Sequence, residues 1–142
     1  MVEKVLIPVD IEHPETWTRT LAMAERLFDR EQIELHLMTV VPPFAMAIVG
    51  GFFPEDFEEK AILAAKESLA NLINDQPTKT LPAPQLHVAH GNIYEEILAA
   101  AESLGVDLII VCAHKPDFTD YLLGPNAARV ARHAKRSVMV VR

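Results

Sequence analysis

Asp107-Leu108-Ile109-Ile110-Val111-Cys112-Ala113 is the most continuously apolar strand-length stretch of the chain. A short apolar run of this kind fits a strand buried on both faces, as at the centre of a parallel sheet. Working upstream, Asn92 and Glu95 stand at capping-box spacing after Gly91. Ile93, Ile97, Ala100 and Leu104 then recur at helical intervals facing inward, and Gly105 closes that helix. Residues 86–89 form a short strand before it, and Pro77 to Pro84 is a turn-rich linker. Downstream, a polar loop from His114 to Asp120 leads to Tyr121-Leu122-Leu123-Gly124-Pro125, a short helix through His133 and a last strand over 137–141.

The amino-terminal half repeats the alternation. Residues 4–9, Lys-Val-Leu-Ile-Pro-Val, read as a buried strand. Residues 14–29 follow as a helix, with Trp17, Leu21, Ala24 and Phe28 on one side and Pro14 near its start, where a missing N–H is harmless. Residues 32–41 alternate and then turn wholly apolar, as a strand entering a core does, until Pro42-Pro43 stops it. A helix begins near Asp56, at capping-box spacing to Glu59, with Ile62, Ala65, Leu69 and Leu72 on its inner face. Strands separated by helices imply parallel pairing, right-handed crossovers and helices on both faces of the sheet. The expected architecture is a Rossmann-like α/β three-layer sandwich around a five-stranded parallel sheet, with 1–142 as one domain.

Composition narrows the functional classes. Of 142 residues, 50% are apolar, so the chain buries enough surface to fold, and no run reaches the ~20 apolar residues that span a bilayer. A net charge of −7 argues against nucleic acid or a membrane surface as partner, since phosphate neutralisation needs surplus Lys and Arg. Cys112 is the lone cysteine and has no internal disulfide partner, and Met1-Val2-Glu3-Lys4 lacks the basic region of a secretory leader. The expected compartment is the cytoplasm.

In an open α/β sheet, ligands bind beyond the carboxyl ends of the strands where strand order reverses. For a chain that begins at the sheet centre, this places Val9-Asp10-Ile11 and Ala113-His114-Lys115-Pro116 on either side of a crevice. Asp10 can accept hydrogen bonds from a ribose or an adenine amine, or equally cap the helix that follows. Gly124-Pro125 opens a helix whose free N–H groups, on Asn126 and Ala127, suit an anion. Proline supplies none, and a Gly-Pro step at a helix start, read alone, is more often plain helix punctuation.

Ile7-Pro8-Val9-Asp10, Thr39-Val40-Val41, Ala113-His114-Lys115-Pro116-Asp117, Tyr121-Leu122-Leu123-Gly124, Arg132-His133-Ala134 and Ser137-Val138-Met139-Val140-Val141 together resemble the universal stress protein family. The resemblance runs through essentially the whole chain and is most specific over 107–142. It implies strand order 3-2-1-4-5, a role in stress response, and ATP or ADP, possibly with Mg2+, as ligand. It places the nucleotide on Pro8, Val9, Asp10, Val40, Cys112, Ala113, His114, Lys115, Gly124, Pro125 and Asn126. The family's Gly-x2-Gly-x9-Gly-Ser/Thr phosphate motif is altered here. Cys112 and Lys115 stand at its first two glycines, eight residues separate Lys115 from Gly124, and Pro125 replaces the Ser/Thr. The loop is similar to that of a family subgroup with His-Arg/Lys-Pro-Asp, which also lacks those glycines and binds nucleotide. Lys115 retains a point charge for phosphate.

The resemblance also implies a homodimer joined through the last strand, where Val138, Met139, Val140 and Val141 form an apolar run on an expected edge with no charge inside it. A dimeric interaction protein that does not bind nucleotide is the alternative reading, and a slow ATPase a third. No nucleophile, base and orienting carboxylate line up, so no catalytic residue is assigned; His114 and Asp117 are the nearest suspects for orienting water. No metal site is assigned either. His87 and His90 lie three apart on a strand and face opposite ways, so they read as solvated or packing residues. Cys112 reads as a small buried hydrophobe rather than a reactive thiol. Five of the 13 bases fall in the last fourteen residues, where there is no acid, as a helix-dipole complement or an anion-steering patch. The apolar 42–54 connection reads as a flap over the crevice, a subunit contact or a segment tucked on the core.

Overall fold

A computed structural model describes residues 2–28, 33–43, 56–113 and 125–142. Five strands, β1 (Lys4–Pro8), β2 (Glu34–Val41), β3 (Gln85–His90), β4 (Leu108–Cys112) and β5 (Ser137–Val141), form one sheet in the order β3-β2-β1-β4-β5. Every pairing is parallel. The helices are α1 (Glu15–Leu27), α2 (Phe57–Asp75), α3 (Ile93–Leu104) and α4 (Pro125–His133).

The two-residue period of the strands sorts the core into two layers. Val5, Ile7, Leu35, Leu37 and Ile110 pack with Trp17, Leu21 and Ala24 of α1 and with Leu69 and Leu72 of α2. Leu6, Met38, Val40, Ile109 and Val111 pack on the other face with Ile93, Ile97 and Ala101 of α3 and with Ala127 and Val130 of α4. The expected sandwich and strand order are therefore present. On α3 the fully buried row is Ile93, Ile97, Ala101, at i, i+4, i+8, while Ala100 and Leu104 pack at its margin.

Helix ends show where local sequence rules hold and where they fail. Asn92 is extended (φ −70°, ψ 128°) and its side chain accepts from the Glu95 N–H at 3.4 Å, while Gly105 ends α3 in the left-handed region at φ 68°. Only that half of the box forms, because the Glu95 carboxylate lies beside the Tyr94 hydroxyl, 3.4 Å away. The Asp56/Glu59 box does not form. Asp56 sits at φ −93°, ψ 8°, outside the extended region an N-cap needs, and its carboxylate pairs with Lys60 at 3.0 Å instead.

Asp107 ties the start of the chain to the start of β4. Its Oδ2 accepts from the Glu3 and Lys4 N–H groups, both at 2.9 Å. These two bonds hold its pKa below the usual 3.8, assisted by the chain's amino terminus and Arg136.

Candidate functional site

The parallel sheet brings the ends of β1, β2 and β4 to one edge, and Pro8 determines what happens there. Along β1 the backbone groups of alternate residues point to alternate neighbours. Val9 N–H donates to Met38 O at 2.8 Å on β2, whereas Lys4 O accepts from Asp107 N–H on the β4 side. Pro8 shares the orientation of Lys4, so the N–H that proline lacks is one that would have pointed at β4. Pairing follows suit: β1 and β2 stay in register to Pro8↔Met38, while β1 and β4 pair at Val5↔Leu108 and Leu6↔Ile109. The two central strands are thus released from each other toward their carboxyl ends, at the point where strand order reverses.

Asp10 stands at that opening, with 6% of its surface exposed. Its Oδ1 accepts from Glu12 N–H at 2.9 Å, and its Oδ2 meets His13 Nδ1 at 2.9 Å. Its own N–H donates to Thr16 Oγ1 at 3.2 Å, and Thr16 in turn donates to His13 O at 2.9 Å. The carboxylate therefore shapes the turn into α1, although the helix N-cap itself is Pro14. Among the described residues each oxygen has one partner, and a carboxylate has about four acceptor sites, so capacity remains for a ligand's hydroxyl or amine. His13 and Thr16 are the residues that sequence reading missed; their spacing three and six beyond Asp10 was the available signal.

Of the other expected site residues, Pro8, Val9, Val40 and Cys112 are buried, and Cys112 sits in the core on the α3/α4 side. Ala113 is half-buried and its N–H donates to Val141 O at 2.6 Å. Pro125 is exposed and Asn126 half-buried in the first turn of α4. The structure thus places Pro8, Val9, Asp10, Val40, Ala113 and Asn126 along one end of the sheet. His114, Lys115, Asp117 and Gly124, and the 42–54 connection from residue 44 onward, lie outside the described residues. Among the described residues no cluster of three His, Cys, Asp or Glu is arranged to hold a metal ion.

A second polar feature lies on β2 and β3 at the opposite end of the sheet. His36, 2% exposed, meets Glu34 Oε1 through Nε2 at 2.7 Å and His87 Nε2 through Nδ1 at 2.8 Å. With Glu34 ionised, His36 Nε2–H donates to it and the neutral pair is completed by His87 Nε2–H donating to His36 Nδ1. His90 turns the other way, onto Glu58 at 3.2 Å. Burial, then the neighbouring His36 and Lys66, push the His87 pKa below 6.5.

The sign of the pH dependence follows. Below 6.5 the unfolded chain takes up a proton at His87 more readily than the folded one, so that contribution is complete above 6.5 and is lost as pH falls toward the folded value. Asp107 adds a second loss, complete above 3.8 and lost as pH falls through its depressed value. Urea unfolding as a function of pH is expected to show both declines on the acid side. His87→Gln should flatten the upper one alone, and unchanged curvature there would place the titrating group elsewhere.

Comparison with known proteins is consistent along the whole chain. Residues 1–142 match the universal stress protein family. Universal stress protein G of Escherichia coli O157:H7 is 31% identical over 144 residues, covering all of both chains. A hypothetical protein solved as a test case of structural genomics superposes with a TM-score of 0.73 at 26% identity, over 99% of this chain and 96% of that one. A universal stress protein in complex with cAMP has a TM-score of 0.63 at 17% identity, over 99% and 97%. A family protein from Arabidopsis thaliana with AMP bound has a TM-score of 0.61 at 15% identity, over 98% and 90%.

Proposed function

The chain belongs to the universal stress protein family, and from that premise we propose that it binds an adenine nucleotide, ATP or ADP, in the crevice at the carboxyl ends of β1 and β4. One observation carries this reading. Asp10, a buried carboxylate with unused acceptor capacity, stands where Pro8 ends the pairing of β1 with β4, with Ala113 and the first turn of α4 on the far side. That arrangement offers acceptors at one end for a nucleoside and helix N–H groups at the other for phosphate. The cAMP and AMP carried by structures of the same fold support the ligand class.

Lys115, in a loop of the His-Arg/Lys-Pro-Asp kind, meets the phosphates as a point charge, with Mg2+ as counterion. The protein acts by nucleotide-dependent signalling or interaction, in the cytoplasm, without turnover. Titration calorimetry and thermal unfolding test the binding. A nucleotide at 100 times its dissociation constant is expected to add about 2.7 kcal/mol to stability. No heat and no shift with millimolar ATP and magnesium would favour the non-nucleotide, dimeric reading instead.

Self-association through β5 is part of the proposal. β5 is the edge strand next to β4, and Val140, 41% exposed, is among the few large apolar side chains left in solvent. An apolar edge with unpaired backbone groups favours pairing with a second copy across a two-fold axis. Light scattering is expected to give twice the 15.8 kDa chain mass, and Val140→Pro, which removes one strand N–H, to shift it toward monomer. A wild-type mass near 15.8 kDa at micromolar concentration would contradict it.

A further inference from the structure

At the end of the sheet away from the crevice, α3 and α4 leave a groove of about 160 Å³. Leu98 and Ala101 of α3, Ile109 of β4 and Ala134 just past α4 line it with apolar surface, and Glu102, His133, Lys135 and Arg136 give it a polar rim. Ile109 is the second residue of β4 and Arg136 directly precedes β5, so the groove belongs to the amino end of these strands. Asp10 and Ala113 follow the carboxyl ends of theirs.

Arg136 Nε is buried and has no hydrogen-bond partner among the described residues. The nearest acid, Glu102, meets the Nη2 arm only at 3.4 Å, beyond the usual range of a charge-assisted bond. The Arg136 side chain is 34% exposed and lines the groove, and the Nη edge of its planar guanidinium matches the two oxygens of a carboxylate. The volume fits one ring, since an apolar cavity of about 150 Å³ takes up benzene. Lys135 and Arg136 on the rim face one acid, Glu102, and this surplus of positive charge favours an anionic occupant.

We propose that this groove binds a small aromatic carboxylate, its ring on Leu98, Ala101, Ile109 and Ala134 and its carboxylate on the Nη groups of Arg136, with Lys135 adding a point charge. The site is separate from the crevice and does not depend on nucleotide binding there.

The probe is benzoate, with benzamide as its neutral isostere, titrated into the full chain and followed by amide chemical shifts. Benzoate is expected to move Ala101, Glu102, Ile109 and Ala134 in a saturable way and to leave Val9 and Ala113 in place. Benzamide should bind about tenfold or more weakly, the value of one lost charge-assisted contact. Arg136→Met and Arg136→Gln are each expected to remove that difference, and their own spectra report whether they fold. Absence of saturable shifts, shifts centred on the carboxyl ends of the strands, or equal affinity for the two probes in the wild type would overturn the proposal.

Discussion

Asp10→Ala is expected to weaken AMP or ADP binding by about ten- to a hundredfold, because a hydrogen bond to a charged group is worth about 1.5–3 kcal/mol. The same change removes an acceptor from the Glu12 N–H and one partner of His13, each at 2.9 Å. Folding stability should therefore fall by about 1 kcal/mol as well, the net worth of a hydrogen bond, since Glu12 is exposed and His13 half-buried. Asp10→Asn separates the two roles, since its side-chain oxygen still accepts from Glu12 while the charge is gone. Calorimetry and urea unfolding on the three proteins read both quantities. If Asp10→Ala loses stability while nucleotide affinity holds, the carboxylate serves the turn alone.

Trp17→Ala should produce the largest loss of stability in the described chain, about 3–5 kcal/mol. Trp17 is fully buried among the α1, α2 and sheet residues, and its Nε1–H donates to Gln76 O at 2.8 Å. It thereby joins α1 to the end of α2, where Thr18 Oγ1 also donates to Gln76 Oε1 at 2.6 Å. Trp17→Phe keeps an aromatic ring and leaves only the Gln76 carbonyl without its donor, so a loss of about 1 kcal/mol beyond any repacking is expected. Because Trp17 is the sole tryptophan, circular dichroism rather than fluorescence must follow the variants. Equal losses for Ala and Phe would mean that the hydrogen bond, not the packing, dominates.

Much of the fold was legible because its signals are local. The Ser137–Val141 strand, the Asn92 cap and the Gly105 stop all depend on residues within one turn or one strand of each other. Asp56 looked equally good as a cap on paper, but capping depends on a backbone dihedral that spacing does not encode. The His36–His87 contact joins residues 51 apart through the Met38↔His87 register of β2 and β3, and register is set by the whole sheet. A histidine between Leu35 and Leu37 in an apolar strand was its only local sign. At the candidate site, Asp10 was legible as a polar residue just beyond an apolar strand. That Pro8 faces β4 rather than β2 could be read only once the neighbours of β1 were known.

In the proposed function an adenine nucleotide occupies the crevice between the carboxyl ends of β1 and β4, and titration of the full chain with AMP, followed through its amide resonances, reads that occupancy residue by residue. Saturable shifts are expected at Val9, Asp10, Val40, Ala113 and Asn126, with Ile109 and Ala134 at the far end unmoved. Saturable shifts confined to any other surface, or none at millimolar AMP and ATP, would contradict it.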